Sequence, residues 1–108
     1  MMEKFTQYLL IAVLGFALFS CATSIPHSDT AHQVWAEKKW HTVNLDEGRS
    51  LYVTNCSGCH SLHSPLEHTQ TEWVKLFDEM ASKAHMTQQD SVTVLAYLVS
   101  FSKDIDLK

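Results

Sequence analysis

The chain lacks the marks of several common functions. No basic patch appears: its 108 residues carry 8 Lys+Arg against 12 Asp+Glu, a formal net charge of −4 with neutral histidine. Phosphate recognition depends on clustered Lys and Arg, so this balance argues against a nucleic-acid partner. No block of like charge is long enough to act as an interaction tail. Internal repeats and low-complexity segments are missing, and no stretch alternates convincingly as a strand. The length supports one domain and not two. No apolar run reaches the roughly 20 residues that span a bilayer. Cysteine is scarce and odd in number, three in all, so at least one stands outside any intrachain disulfide.

What apolar run there is lies at the start. After Met1-Met2-Glu3-Lys4, residues Tyr8 to Phe19 are almost unbroken apolar sequence. About a dozen such residues suit the core of a signal peptide. The run closes on Leu18-Phe19-Ser20-Cys21, which resembles a bacterial lipobox. The resemblance implies a signal peptide over 1–20 and a lipidated Cys21 as the first mature residue, which accounts for the odd cysteine. Two or more acyl chains anchor stably where one does not. The competing readings are an ordinary signal peptide with a chance cysteine and an uncleaved anchor. Thr23 stands where such lipoproteins carry an aspartate for inner-membrane retention. The resemblance therefore implies an outer-membrane anchor facing the periplasm.

Residues 21–43 read as a tether, rich in Ser, Thr and His with Pro26 and scattered charge. Within it "HQVWAEKKW" reads as a short helix or a strap lying against the domain, with a mobile linker as the alternative, and Trp35 and Trp40 favour partial docking. The compact domain is expected over 44–108 and is all-α, with three main helices. The first runs from Leu45 to about Asn55, with Asn44 as N-cap and Glu47 three residues on. Gly48 in its interior costs about 1 kcal/mol relative to Ala, which implies close backbone approach by another element. The second runs from about Glu72 to Ala84, capped by Thr69 or Thr71. Trp73, Leu76, Phe77, Met80, Ala81 and Ala84 form its apolar stripe. The third runs from about Gln88 to Ser102, capped by Thr87 with Asp90 three residues on. Its stripe is Val94, Leu95, Leu98 and Phe101, flanked by Tyr97. Three short helices make a marginal core, and domains this small usually need a disulfide, metal or cofactor.

The remaining cysteines supply a candidate. Cys56-Ser57-Gly58-Cys59-His60 is the Cys-x-x-Cys-His pattern of c-type haem attachment. Two thiols one helical turn apart each add to a haem vinyl group. The residue after the second then lies under the iron, where the His60 imidazole is a proximal ligand. Gly58 lets the backbone lie close to the macrocycle. Chance placement of three Cys and seven His predicts roughly 0.005 copies of the pattern. A thioredoxin-like site would want a βαβ context. A zinc site would need a further ligand such as His63 or His68. A short disulfide is the third competitor. Haem fits best, because export and covalent haem attachment go together.

The stretch "EGRSLYVTNCSGCH", residues 47–60, resembles the first helix and haem site of class I cytochromes c. "VLAYLVSF", Val94 to Phe101, is similar to their C-terminal helix, and "HSLHSPLEHTQTEWVKLFDEMASKAHMT" to a short-loop subgroup. The resemblance implies one covalent haem c, carried by Cys56 and Cys59 with His60 as an axial ligand. It implies a helix crossing with Gly48 and Tyr52 against Tyr97, and haem packing by Tyr52, Trp73, Phe77 and Tyr97. The family usually adds a methionine sulfur as sixth ligand. Met80, one helical face with Trp73, is preferred, and Met86 in the turn "KAHMTQQ" is the alternative. A Met in a helical stripe is most often core filler, and one at a helix joint a plug. A histidine ligand or an open site are further options. His63 is too near His60 to reach the opposite face. His68 and His85 are read as surface residues that could approach the far face or a propionate. Arg49 or Lys75 could neutralise a propionate. His27, His32 and His41 receive no role.

The function expected is an electron carrier, not an enzyme, passing single electrons between redox partner proteins with no small-molecule substrate. The alternatives are a haem-bearing subunit of a larger periplasmic dehydrogenase or respiratory complex, and a gas or redox sensor with a labile sixth ligand. The sensor would want a polar distal pocket, whereas the stripe around Met80 is apolar.

Overall fold

A computed structural model describes residues 2–17, 24–56 and 62–108 of the chain. The described residues are helical, with no strand among them. The elements are α1 (Met2–Ala17), α2 (Thr30–Trp40), α3 (Leu45–Cys56), a 3-10 turn (Pro65–Glu67), α4 (Gln70–Lys83) and α5 (Gln88–Ser100). The all-α expectation is met.

The helix starts follow side-chain capping. Asn44 Oδ1 accepts the Asp46 and Glu47 amides at 2.9 and 3.1 Å, opening α3. Thr69, not Thr71, caps α4 in a full capping box with Glu72. Thr87 accepts the Asp90 amide and opens α5. α5 is the hub, packed by α2, α3 and α4. Burial on three sides explains why Thr93, Ala96, Tyr97, Val99 and Ser100 are buried along with Val94, Leu98 and Phe101. The predicted stripe is too narrow for such a helix. α4 shows the opposite departure. Trp73 and Phe77 are buried, but Leu76 is 38% exposed, and Met80, Ala81 and Ala84 are half-buried. α4 packs chiefly on α5, so its stripe is only partly covered.

The α3–α5 crossing rests on Gly48. A Cβ there would lie 2.5 Å from the Thr93 carbonyl oxygen and 2.8 Å from Tyr97 Cβ. The close approach inferred from a glycine in a helix interior is present.

The expected tether is in large part a docked strap. α2 places Ala36 fully out of solvent, and His32 stacks on Phe101 at 4.1 Å and 11°. Gln33 clamps the turn before α3: its Nε2 donates to Val43 O at 2.7 Å, and its Oε1 accepts the Leu45 amide at 3.0 Å. Upstream, Arg49 Nε donates to Ile25 O and Tyr97 OH to Pro26 O. The packed unit thus extends N-terminal to Asn44, to Ile25. Among the described residues no helix is long and apolar enough to cross a membrane, and Met2, Phe5, Tyr8, Leu9 and Leu10 of α1 are exposed. Cys21 lies outside the described residues.

Tyr97 couples the strap to pH. Burial raises its hydroxyl above the ordinary tyrosine range, and burial does the same for Tyr52. In the unfolded chain tyrosine ionises near pH 10, while the folded protein keeps the proton. The folded state therefore binds more protons above that pH. This share of stability is complete below about pH 10 and is lost as pH climbs beyond it. Tyr97→Phe is expected to cost about 1 kcal/mol at pH 7 through the lost bond to Pro26. It should also show a shallower stability loss above pH 10 than the parent. Urea midpoints measured between pH 7 and 11 check both.

Candidate functional site

α3 ends on Cys56, whose side chain is 9% exposed, in one core cluster with Tyr52, Trp73, Phe77 and Tyr97. Gly58, Cys59 and His60 lie outside the described residues, but the chain on either side of them is held. One turn before Cys56, the buried Tyr52 donates its hydroxyl proton to His63 O at 2.6 Å. The segment leaving α3 is thus tied back to α3 when it re-emerges. Tyr52 and Tyr97 rings lie 6.1 Å apart, which makes the helix crossing and the clamp one packed unit.

The next stretch is braced as well. Ser64 caps the Pro65–Glu67 turn in a capping box with Glu67. Trp73, 1% exposed, donates Nε1–H to Pro65 O at 2.8 Å. His68 sits edge-on to Trp73 at 4.8 Å. From the C-terminal side, the Lys103 amide donates to His68 O and the Gln70 amide to Asp104. Among the described residues no buried side-chain polar atom lacks a hydrogen-bond partner.

The two candidate methionines fall in different surroundings. Both are partly buried against the core cluster. Met80 stands on α4 seven residues after Trp73, beside the exposed Leu76. Met86 follows the turn in which His85 adopts a φ of 53°, and lines a groove of about 420 Å³ with Phe77, Ala81, Val92 and Leu95. Tyr97 directs its hydroxyl to Pro26, toward the strap. Arg49 likewise reaches Ile25. Lys75, on α4, lines a second groove beside Phe77 and Leu95.

The donor set and its surroundings fit a covalently held haem. The Cys56 thiol is buried in an apolar cluster, the chain at His63 is clamped to Tyr52, and an α4 flank of Leu76 and Met80 is left partly uncovered. Missed by sequence reasoning are Tyr52 and Trp73 as clamps on backbone carbonyls, and the His63–Glu67–His68 grouping. The capping pattern Ser64-x-x-Glu67 was the available signal for the turn. No protein-family model, curated protein or solved structure matches this chain.

Proposed function

We propose that the chain is a membrane-anchored monohaem c-type cytochrome of the periplasm, passing single electrons between redox partner proteins. Cys56 and Cys59 would hold the haem, and the His60 nitrogen and Met80 sulfur would ligate its iron. So held, the haem would supply one-electron redox chemistry, at a potential that Met/His ligation would raise relative to bis-His. The observation that carries the reading is the Cys-x-x-Cys-His sequence starting at a buried helix-terminal cysteine. Tyr52 steadies the loop by holding His63 O. Trp73 positions α4, and with it Met80, through Pro65 O. Leu76, exposed beside Met80, would offer an apolar surface on the sulfur side. Met86 is the less suited ligand because it lines the groove at the α4–α5 joint with Val92 and Leu95.

The docked strap alters the anchoring. With Ile25 and Pro26 pinned by Arg49 and Tyr97, only residues 22–24 separate a lipidated Cys21 from the domain. At about 3.5 Å per extended residue that arm reaches roughly 10 Å. The domain then stands at the bilayer surface and does not swing on a long tether.

A second reading is a haem-bearing subunit of a larger periplasmic dehydrogenase or respiratory complex. It would require a partner that covers the exposed Leu66, Val74 and Leu76, at 53%, 54% and 38% exposure. Stoichiometric co-purification with a catalytic protein would select it.

The test begins with expression in a host that exports the chain and attaches haem. Haem should survive acid–acetone extraction from the parent and be lost in the Cys56→Ser, Cys59→Ser double variant. The oxidised parent should show the weak far-red band of Met–iron ligation, kept in Met86→Ala and lost in Met80→Ala. Parent protein without covalent haem would overturn the proposal. An unchanged spectrum in both methionine variants would overturn the ligand assignment alone.

A further inference from the structure

We propose that His63, Glu67 and His68 form a binding site for a divalent transition-metal ion of the Zn²⁺ type. The site uses no cysteine and does not use His60, so it stands apart from the haem reading. One ligand atom from each of the three residues lies within 4.8 Å of the others. Two imidazoles and a carboxylate are the donor set that borderline divalent ions prefer, and three protein ligands leave a position for water.

The backbone beneath the site is rigid. His63 O is held by Tyr52 OH, Pro65 O by Trp73 Nε1 and His68 O by the Lys103 amide, at 2.6, 2.8 and 3.0 Å. Tyr52 and Trp73 are both buried. Ligands on such a frame lose little freedom when an ion arrives.

The side chains are oriented too. Glu67 Oε1 accepts the Ser64 amide at 3.1 Å, while Oε2 faces His63 Nδ1 at 2.7 Å. The His63 and Ser64 contacts hold the Glu67 carboxyl below the usual carboxylate range. An ion would take the place of the proton shared between Glu67 and His63. Glu67 would then ligate through one oxygen while Ser64 keeps the other. His68 Nδ1 faces Glu72 Oε2 at 3.6 Å, and its ring rests edge-on against Trp73. At that distance Glu72 is an ion-pair partner and not a hydrogen-bond acceptor, and with Nδ1 turned toward it Nε2 is the atom offered to the metal. Around a tetrahedral ion with bonds of about 2.0–2.1 Å, ligand atoms stand about 3.4 Å apart. His63 Nδ1 and Glu67 Oε2, now 2.7 Å apart, must therefore open slightly to admit the ion while His68 Nε2 comes to it. His63 and Glu67, 50% and 44% exposed, have room to do so.

The experiment is calorimetric titration of ZnCl₂ into the purified, chelator-treated full chain, with thermal melts at each metal level. One Zn²⁺ per chain is expected, with the melting temperature rising as Zn²⁺ is added, because an ion that binds only the folded state stabilises it. His63→Ala and His68→Ala should each weaken binding at least about tenfold. Glu67→Gln, which keeps an acceptor for Ser64, should weaken it as well. His27→Ala, on the strap, should leave it unchanged. No Zn²⁺ binding, or equal affinity in the His63→Ala, His68→Ala double variant, overturns the site. Retained covalent haem in that double variant keeps this outcome separate from failure of the haem proposal.

Discussion

Gly48→Ala is expected to destabilise the protein by about 2 kcal/mol or more, although alanine is the better helix former. Two effects oppose each other. Replacing glycine inside a helix gains about 1 kcal/mol of propensity. Against it stand two contacts that no Cβ can keep, 2.5 Å to the Thr93 carbonyl oxygen and 2.8 Å to Tyr97 Cβ. Neither partner is the free end of a flexible side chain. Relief requires α3 and α5 to separate, and overpacking of this kind costs typically 1–3 kcal/mol and sometimes more. With two rigid contacts the cost sits at or above the upper end, and the net remains destabilising. In a domain of this size each kcal/mol is worth roughly 4–8 °C, so a fall of roughly 8–16 °C is expected in the melting temperature. The same separation would displace Tyr52, one turn along α3, from His63 O. If haem is held as proposed, its covalent yield should therefore fall together with stability. Ser50→Ala, an exposed position on the same helix, should leave both intact. A Gly48→Ala protein as stable as the parent would show that the helices have slack at their crossing.

Gly48 was legible because a glycine inside a helical pattern needs a steric reason. The caps were legible for a similar reason: Asn44, Thr69 and Thr87 act on amides two or three residues away, so the contact is written locally. α5 was misjudged in degree. Its stripe was correct, but the number of faces covered depends on what arrives from elsewhere in the chain. α2 was the least legible element. Its docked face mixes Ala36, His32 and Gln33, and Gln33 is satisfied by backbone groups of Val43 and Leu45. A polar residue held half-buried by backbone partners ten or more residues away leaves no periodic trace.

The candidate site divides along the same line. Cys56, Cys59 and His60 stand out through spacing alone. Tyr52, Trp73, Phe77 and Tyr97 were named for packing on a cofactor. Tyr52, Trp73 and Tyr97 also donate to main-chain carbonyls of His63, Pro65 and Pro26. Such a bond is set by where the chain returns, not by residue type, so it lies beyond pattern reading. The His63–Glu67–His68 grouping follows from one of those bonds, because Tyr52 fixes the point at which the turn begins.

Trp73→Ala is expected to be the most damaging of the substitutions at the α4 contact. Truncating a fully buried Trp costs about 3–5 kcal/mol through lost transfer energy and the cavity left behind. The Pro65 carbonyl then loses its donor beside a buried proline. An unsatisfied buried acceptor adds about 1–3 kcal/mol. Domains are stable by only about 5–15 kcal/mol, and one of this size sits at the low end. Trp73→Ala should therefore be largely unfolded at 25 °C by circular dichroism. Trp73→Phe separates the two contributions. It keeps most of the ring volume, loses the hydrogen bond, and should remain folded with a loss of about 1–3 kcal/mol. If haem is held as proposed, Trp73→Phe should also weaken the far-red Met–iron band. Without the bond to Pro65, α4 is less firmly registered against the turn, and Met80 travels with α4. Met86, at the α4–α5 joint, is not tied to that bond. A band that survives Trp73→Phe at full strength would mean that α4 is held in register by Phe77 and α5 alone, and that the Trp73–Pro65 bond braces the turn without positioning the sulfur.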